Sequence, residues 1–520
     1  MRSRPILVLV ALTATASSAG AQTPRDVVAR AVAAMGGEQA LRGVRAVTTD
    51  FYTATFALGQ EETPASPARA NSVVGQTSAD YAGNRQVSAV ELRNVAGAVS
   101  RLRRVTAGGI GMLENNGRLA PDGPGTVAGV EASLRRAPER LLLAALDRPA
   151  ALTALPARTW RGESHDGVRY ALGPDTLDLY FDRRSGLLDV IEAVGDDPIL
   201  GDRHTVTWLT RWQETGGVRF PRQYDVEVNG RVQTHSVFTA VTVNPALPDS
   251  LFAIPDSIAA RAQRANPTPP PPVVNLVELA PGVWRAEGGS HHSLVVDQGA
   301  RLVVVEAPQA TARTQAVLDT LRARFTAKPV GTVVNTHHHW DHAGGLRAAL
   351  AAGVPVVTHA RNVTFVRGIG AARKTVKPDA LSSRRRVPAV TGVEDSVTLG
   401  AGDQRVVVYR LPTAHAEGML AAYLPGARLL FTSDVLSPGP TMPAAGAREI
   451  VAFVRARGLT VERVVGGHGG VAAWADVERA AAPSPSAFRP ATGRRLAAEP
   501  VLLVPAHYVE LRAHEVRRLG

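Results

Sequence analysis

The hydrophobic pattern changes character along the 520 residues of this chain. A helical repeat over residues 28–35 follows Thr23-Pro24 and stops at Gly36-Gly37, which predicts one amphipathic helix with a capped start. From there to about residue 256, apolar and polar positions alternate with the period of half-buried strands, and Asn229-Gly230 marks a tight hairpin. We therefore predict one helix on a mostly antiparallel β sheet for residues 22–256.

A different pattern of apolar and polar residues begins after a proline-rich stretch. Residues 265–272 contain five prolines, which favours an extended spacer, so we place a linker at residues 257–272. From residue 273 to 482, short apolar runs alternate with helical patterns, as in an α/β domain. Residues 483–520 are rich first in proline and serine and then in arginine, and we predict a disordered tail there.

The first 21 residues have the pattern of a signal peptide. Arg2 and Arg4 precede an apolar stretch over residues 6–16, which is too short to span a bilayer as a helix. The small residues Ala19-Gly20-Ala21 predict cleavage after Ala21 and a periplasmic or secreted protein. The chain has no cysteine, which excludes disulfides and thiolate metal ligands. No other segment has the length and apolarity of a transmembrane helix.

The formal net charge of +12 comes almost entirely from arginine. A nucleic-acid surface would require basic residues clustered with aromatic ones, and the arginines are instead spread along the chain. Compositional bias explains the charge, so we expect a small-molecule substrate rather than nucleic acid; the oligomeric state is open.

The strongest chemical signal is a histidine-rich segment that follows the apolar run 330–334. It begins at Thr336 and contains His337, His339, Asp341 and His342 before Gly344-Gly345. Alternate side chains point to one side of an extended segment, so His337 and His339 can bind one cation while Asp341 and His342 bind a second. His338 should face away from both.

Three more candidate ligands each follow a predicted strand downstream. They are His415, Asp434 and His468. His415 would complete the first site, His468 the second, and the carboxylate of Asp434 can bridge both. Seven imidazole and carboxylate ligands suit two Zn²⁺ ions, with Mn²⁺ or iron as alternatives.

This ordered set resembles the signature of the metallo-β-lactamase superfamily over residues 273 to about 480. The resemblance implies a four-layer αβ/βα sandwich with the metals in a cleft between two sheets. It also argues against a true β-lactamase, because those enzymes usually have Cys or Ser where this chain has Asp434. Glu417 and Glu306-Ala307-Pro308 depart from the common family pattern and leave the substrate subgroup open.

The N-terminal region resembles the lipoprotein-carrier fold, an open half-barrel of antiparallel strands. The resemblance rests on the helix that ends in Met35-Gly36-Gly37 and on the closing segment 249–255. It implies an apolar ligand groove; the alternative is a packed accessory domain that binds nothing.

The sequence thus predicts an exported dinuclear hydrolase in which a hydroxide shared by the two metals attacks an ester, thioester, lactone or phosphodiester. Asp341 would act catalytically by steering the proton of that nucleophile. The alternative is a periplasmic lipid- or ligand-binding protein with a structural or vestigial metal domain, and weak β-lactamase activity is a possible side reaction. Substrate-binding residues are unknown; the candidates are His291-His292, Trp340, His359 and residues 377–379.

Overall fold

The computed structural model describes residues 22–482 apart from residues 96, 173–174, 198, 265–270 and 385–387. The predicted signal peptide, the tail at 483–520 and the centre of the proline-rich stretch lie outside the described residues. Within the described part, no helix combines the length and apolarity needed to cross a membrane.

The N-terminal domain is built on a single sheet of thirteen antiparallel strands, in the order β6-β5-β4-β3-β2-β1-β13-β12-β11-β10-β9-β8-β7. The strands are β1 (Ala46–Phe56), β2 (Ala70–Asp80), β3 (Arg85–Arg93), β4 (Val99–Ala107), β5 (Ile110–Asn115), β6 (Arg118–Pro121), β7 (Leu152–Trp160), β8 (Glu163–Leu172), β9 (Asp175–Asp182), β10 (Leu188–Asp197), β11 (Gly201–Thr215), β12 (Val218–Val228) and β13 (Arg231–Val243). The antiparallel sheet predicted for this region is confirmed.

Five helices accompany this sheet: α1 (Pro24–Ala34), α2 (Glu38–Gly43), α3 (Pro124–Arg136), α4 (Pro138–Leu146) and α5 (Asp256–Gln263). Helix α1 has the predicted capping box, in which the Thr23 hydroxyl accepts from the backbone N–H of Asp26. The expectation of one helix was wrong, because α3 and α4 interrupt the strand pattern between β6 and β7. Helix α5 occupies the first half of the segment expected to be a linker.

One apolar core joins α1, α2 and α4 to the second half of the sheet. Val28, Leu41, Leu142, Tyr170 and Phe181 are all buried in it. Their burial explains why the apolar positions of α1 recur at helical spacing while those of the strands alternate.

The C-terminal domain contains two further sheets. The first has seven strands in chain order: β14 (Asn275–Ala280), β15 (Val283–Glu287), β16 (Ser293–Asp297), β17 (Leu302–Val305), β18 (Val330–Val334), β19 (Val356–His359) and β20 (Val390–Val393). The second has six: β21 (Ser396–Leu399), β22 (Val406–Arg410), β23 (Leu420–Leu424), β24 (Leu429–Phe431), β25 (Arg463–Val465) and β26 (Val471–Ala473).

Five helices cover the outer faces of these sheets: α6 (Thr311–Arg324), α8 (Leu346–Ala351), α9 (Val363–Ala371), α10 (Ala444–Arg457) and α11 (Trp474–Ala481). The short helix α7 (Trp340–Ala343) lies in the segment that follows β18. One core lies between the first sheet and α6, α8 and α9, and another lies between the second sheet and α10 and α11. A third core, with Val305, Val334, Val408 and Phe431, fills the space between the sheets. Three cores between four layers make the predicted αβ/βα sandwich.

The two domains contact each other where strands β10 and β11 meet residues 373–375. The backbone N–H of Asp202 in β11 donates to the carbonyl of Arg373 at 2.6 Å, and the Asp202 carboxylate accepts from Thr375. Lys374 forms an ion pair with Asp196 of β10. These contacts fix a loop of the C-terminal domain against the N-terminal sheet.

Candidate metal centre

The side chains predicted to bind metal all emerge where strands end at the cleft between the two C-terminal sheets. The segment after β18 carries His337 and His339, and the short helix α7 carries Asp341 and His342. The other three residues follow β22, β24 and β25, and they are His415, Asp434 and His468. The fold therefore brings all seven predicted residues into one cluster.

A first group consists of His337, His339, His415 and Asp434. Their candidate ligand atoms lie within 4.8 Å of one another. Asp434 Oδ2 is 3.4 Å from His415 Nε2 and 4.0 Å from His337 Nε2. Three imidazoles and one carboxylate at this spacing suit a tetrahedral divalent cation.

A second group shares the same aspartate. Asp434 Oδ1 lies 2.7 Å from His342 Nε2 and 3.0 Å from His468 Nε2, and Asp341 Oδ2 lies 3.8 Å from His342 Nε2. Each carboxylate oxygen of Asp434 therefore faces a different group, which is the placement that a bridging ligand requires.

The residues present fit a metal pair because their inward-facing atoms lack other partners. Among the described residues, the following buried atoms make no hydrogen bond: His337 Nε2, His339 Nδ1, His342 Nε2, His415 Nε2 and Asp434 Oδ1. Buried polar atoms are normally hydrogen-bonded, and leaving several unpaired at one point is costly. Five such atoms that converge on one another could hold a cation.

Glu306 anchors this arrangement from behind. Its buried carboxylate accepts from the hydroxyls of Thr336 and Ser433, the latter at 2.7 Å, and lies 2.9 Å from His342 Nδ1. Because Nδ1 of His342 donates to Glu306, Nε2 is the nitrogen that faces the cluster and that would bind a metal in place of a proton. The backbone of Glu306 has a φ of +81°, in the left-handed region, and this turns the side chain into the site.

The electrostatics of the cluster favour positive charge. Burial opposes ionisation of Asp341, but hydrogen bonds from His291 and Gln60 and the nearby His342 lower the pKa of Asp341 to about 2. Burial also opposes the charged form of His342, yet the carboxylates of Glu306 and Asp434 raise its pKa well above the usual value. Asp434 is likewise held ionised, since its partners overcome its burial and lower its pKa.

The opposite shift occurs where imidazoles crowd together. Burial, together with the neighbouring His415, lowers the pKa of His339 to about 4. Burial likewise lowers the pKa of His337 well below its usual value. These two rings are therefore neutral near pH 7, which is the state in which histidine binds a metal.

His291 is a participant that the sequence did not single out as a ligand. Its Nε2 lies 3.2 Å from Asp341 Oδ2, and its ring centroid is 3.8 Å from that of His468. With Asp341, His342 and His468 it forms a group whose candidate ligand atoms lie within 4.8 Å of one another. The sequence placed His291 only at the mouth of the cleft, because the bridge that pairs its backbone with His468 has no local signal.

The weaker candidates occupy other positions. The ring of His338 turns toward Phe365, with 5.9 Å between the ring centroids. His359 is buried and its Nδ1 accepts from the backbone of Arg361, a structural contact. The carboxylate of Asp379 holds the buried guanidinium of Arg347 at 2.6 Å, which ties its loop to the core. Trp340 is 49% exposed and so does not pack in the core.

Comparison with known proteins places the C-terminal domain. The family model described as the metallo-β-lactamase superfamily matches residues 286–468. The hydroxyacylglutathione hydrolase of Gloeobacter violaceus is 32% identical over 138 residues, which cover 25% of this chain and 46% of that protein. The 2,4-dinitroanisole O-demethylase subunit alpha of Nocardioides sp. is 25% identical over 162 residues, 31% of this chain and 45% of that protein.

The chain thus spans less than half the length of these two curated relatives. Among solved structures, a metallo-β-lactamase from Pontibacter korlensis aligns with a TM-score of 0.32 and 21% identity, covering 40% of this chain and 96% of that one. The family match covers the candidate ligands from His337 to His468. The chain is thus similar to the metallo-β-lactamase superfamily over most of its C-terminal domain.

Proposed function

We propose that this protein is an exported dinuclear metal-dependent hydrolase of ester, thioester, lactone or phosphodiester bonds. The observation that carries the proposal is the set of unpaired nitrogen and oxygen atoms that converge on two adjacent points, with Asp434 between them. The hydroxyacylglutathione hydrolase among the relatives supports hydrolysis as the reaction class.

The ligands divide between two cations. His337, His339 and His415 would hold the first, and Asp341, His342 and His468 the second, while Asp434 offers one oxygen to each. The chemistry supplied by two bound divalent ions, with zinc favoured by the imidazole-rich set, is activation of a water near neutral pH and polarisation of a carbonyl or phosphoryl oxygen.

The protein's own groups then orient and exchange protons. Asp341 keeps a low pKa, so its carboxylate is available to accept a hydrogen bond from the attacking water and to orient it. His291, beside Asp341, can donate to the same carboxylate and hold it in place. Glu306 keeps His342 in the tautomer that leaves Nε2 free.

Export follows from the first 21 residues, with their basic start, apolar stretch and Ala19-Gly20-Ala21 site. N-terminal sequencing of the protein recovered from an expression host's periplasm or medium tests this part. A mature chain that starts at Gln22 is expected, whereas an intact Met1 on a cytoplasmic product would contradict export.

A second candidate function is the binding of a small apolar molecule by the N-terminal domain. A cavity of about 920 Å³ lies between the sheet and α3, lined by Val47, Leu177, Phe220 and Phe238 among others. A space of this size accommodates a drug-sized or lipid-like ligand. The cavity is separate from the metal cluster, so the two functions can coexist.

The deciding experiment measures metals and turnover on the same sample. The mature protein is reconstituted with Zn²⁺, freed of excess metal, and analysed by elemental mass spectrometry before a screen of ester, thioester, lactone and phosphodiester substrates. Near two zinc ions per chain, with turnover of at least one class, is the expected result. Fewer than one ion per chain and no turnover would reject the hydrolase and leave the binding function.

A further inference from the structure

The loop between β1 and β2, residues 57–69, leaves the N-terminal sheet and lies against the metal cluster of the other domain. The carbonyl of Gly59 accepts from the backbone N–H of Trp340 at 3.1 Å, and that of Glu62 accepts from Glu417 at 2.7 Å. At its far end, the guanidinium of Arg69 donates to the carbonyl of His415 at 3.3 Å. The loop thus contacts two of the segments that carry candidate ligands, residues 337–342 and the segment around His415.

One contact of this loop reaches the first metal group. His339 Nε2 lies 2.8 Å from the backbone carbonyl of Glu61. A carbonyl only accepts, so Nε2 carries the proton and Nδ1 keeps its lone pair. Nδ1 is the atom of His339 that has no hydrogen bond and faces the cluster.

A neighbouring contact reaches the second metal group. The side-chain amide of Gln60 donates to Asp341 Oδ1 at 2.7 Å. This bond occupies one carboxylate oxygen and directs the other, Oδ2, toward His342 and His291. Asp341 belongs to the second group alone.

The N-terminal domain fixes the loop in this position. The Glu61 side chain is 1% exposed and pairs at 2.5 Å with Arg231 of β13. An ion pair with one buried partner is costly to break, so the backbone on either side of Glu61 is held firmly. Gln60 and the Glu61 carbonyl are therefore presented to the C-terminal domain in a preformed geometry.

We propose that Gln60 is a positioning residue that the N-terminal domain supplies to the second metal ion, acting through Asp341. The proposal rests on the proposed dinuclear site. Loss of a group that orients a metal-binding side chain typically weakens metal binding 10- to 100-fold. Gln60→Ala should therefore weaken binding of the second ion by about that factor and leave the first ion unchanged, because the ligands of the first group make no contact with the Gln60 amide.

The test uses the full chain and Co²⁺ in addition to Zn²⁺, so that each ion is seen by its visible absorption as well as by stoichiometry. Wild type, Gln60→Ala and the control Gln76→Ala are titrated with metal against a competing chelator. The control removes an equivalent bond, since the Gln76 amide donates to Asp50 Oδ1 at 2.7 Å on the same sheet. We expect selective loss of the second binding step in Gln60→Ala alone.

A second variant distinguishes the loss of the Gln60 hydrogen-bond donor from the loss of the volume of its side chain. Gln60→Met keeps the length of the side chain but cannot donate, so it should lose the second step as Gln60→Ala does. Retention of both steps in Gln60→Met, or parallel weakening of both ions in Gln60→Ala, would overturn the positioning role. A wild-type protein that binds fewer than two ions would instead refute the dinuclear site itself.

Discussion

Two buried carboxylates, Glu306 in the C-terminal domain and Glu139 in the N-terminal domain, show how the two halves of this molecule differ. Glu306 accepts from Thr336, Ser433 and His342. Glu139 accepts from the hydroxyl of Tyr81. Burial, only partly offset by the Tyr81 hydrogen bond, raises the pKa of Glu139.

The surroundings of each carboxylate determine which ligand its neighbourhood can accept. Around Glu306, imidazoles with free lone pairs and two further carboxylates, Asp341 and Asp434, form a site that attracts cations. Glu139 lies at the wall of the N-terminal cavity, with Tyr224 nearby. The raised pKa of Glu139 favours its neutral form, so this part of the wall suits an uncharged or weakly polar group.

The largest expected effect comes from removing the bridge of the charged cluster. Asp434→Ala should reduce kcat/KM on the order of 10³-fold, because the two metals supply several kcal/mol of transition-state stabilisation. Metal content by elemental mass spectrometry should fall below two ions per chain. His165→Ala is the control: His165 lies with Asp182 and Asp189, but its two ring nitrogens already face Glu163 and Asp189. Full activity in Asp434→Ala would show that the charged cluster of the C-terminal domain is not the catalytic metal site.

The same substitution in both carboxylates sharpens the comparison directly. Glu306→Gln should weaken zinc binding by about 10- to 100-fold, since the amide accepts less strongly from His342 and no longer fixes its tautomer. Glu139→Gln should leave zinc binding as in wild type. Chelator competition on the two variants side by side measures the difference. Equal affinities would show that Glu306 does not support the metal ligands.

The protonation of Glu139 should affect how the stability of the protein depends on pH. A carboxyl with a raised folded-state pKa stabilises the fold fully below its unfolded pKa of about 4.3, and this stability is lost as pH rises through the folded value. The free energy of unfolding of Glu139→Gln should therefore rise relative to wild type as the pH increases above about 4. Urea unfolding at several pH values measures it; a constant difference would mean that Glu139 titrates normally.

The smallest expected effect concerns the single donor to Glu139. Tyr81→Phe removes a hydrogen bond whose net contribution is about 1 kcal/mol, so the free energy of unfolding should fall by roughly that amount near pH 7. The same bond lowers the pKa of Glu139, so its loss should also extend the pH-dependent decline to higher pH. Unchanged stability in Tyr81→Phe would indicate that the hydrogen bond from the Tyr81 hydroxyl to Glu139 does not stabilise the fold.

The features that could be predicted from the sequence are those that depend on neighbouring residues along the chain. The histidine-rich segment, the strands that precede it and the hairpin at Asn229-Gly230 are local patterns, and the strands on either side of this turn pair as β12 and β13. Helices α3 and α4 were missed, although each begins with a proline at its first position, a signal the strand assignment overrode. Helix α4 is almost wholly buried, so its apolar run lacks the polar face that marks a surface helix.

The contacts that complete the site could not be predicted in the same way. Gln60 and Asp341 are 281 positions apart, and His291 and His468 are paired only by the folded backbone. Glu306 was recognised as a departure from the family pattern, but its three hydrogen bonds join segments after β17, β18 and β24. Such interactions depend on tertiary placement, which no single window of sequence encodes.

The loop at residues 57–69 reaches the C-terminal domain largely through carbonyls, those of Gly59, Glu61 and Glu62. Point substitutions leave a main-chain acceptor in place, but an insertion or deletion ahead of Gln60 would shift every acceptor out of register. Related sequences should therefore tolerate substitutions in this loop more readily than changes in its length. A length change there would break the contacts between this loop and the metal cluster even if all seven candidate ligands were retained.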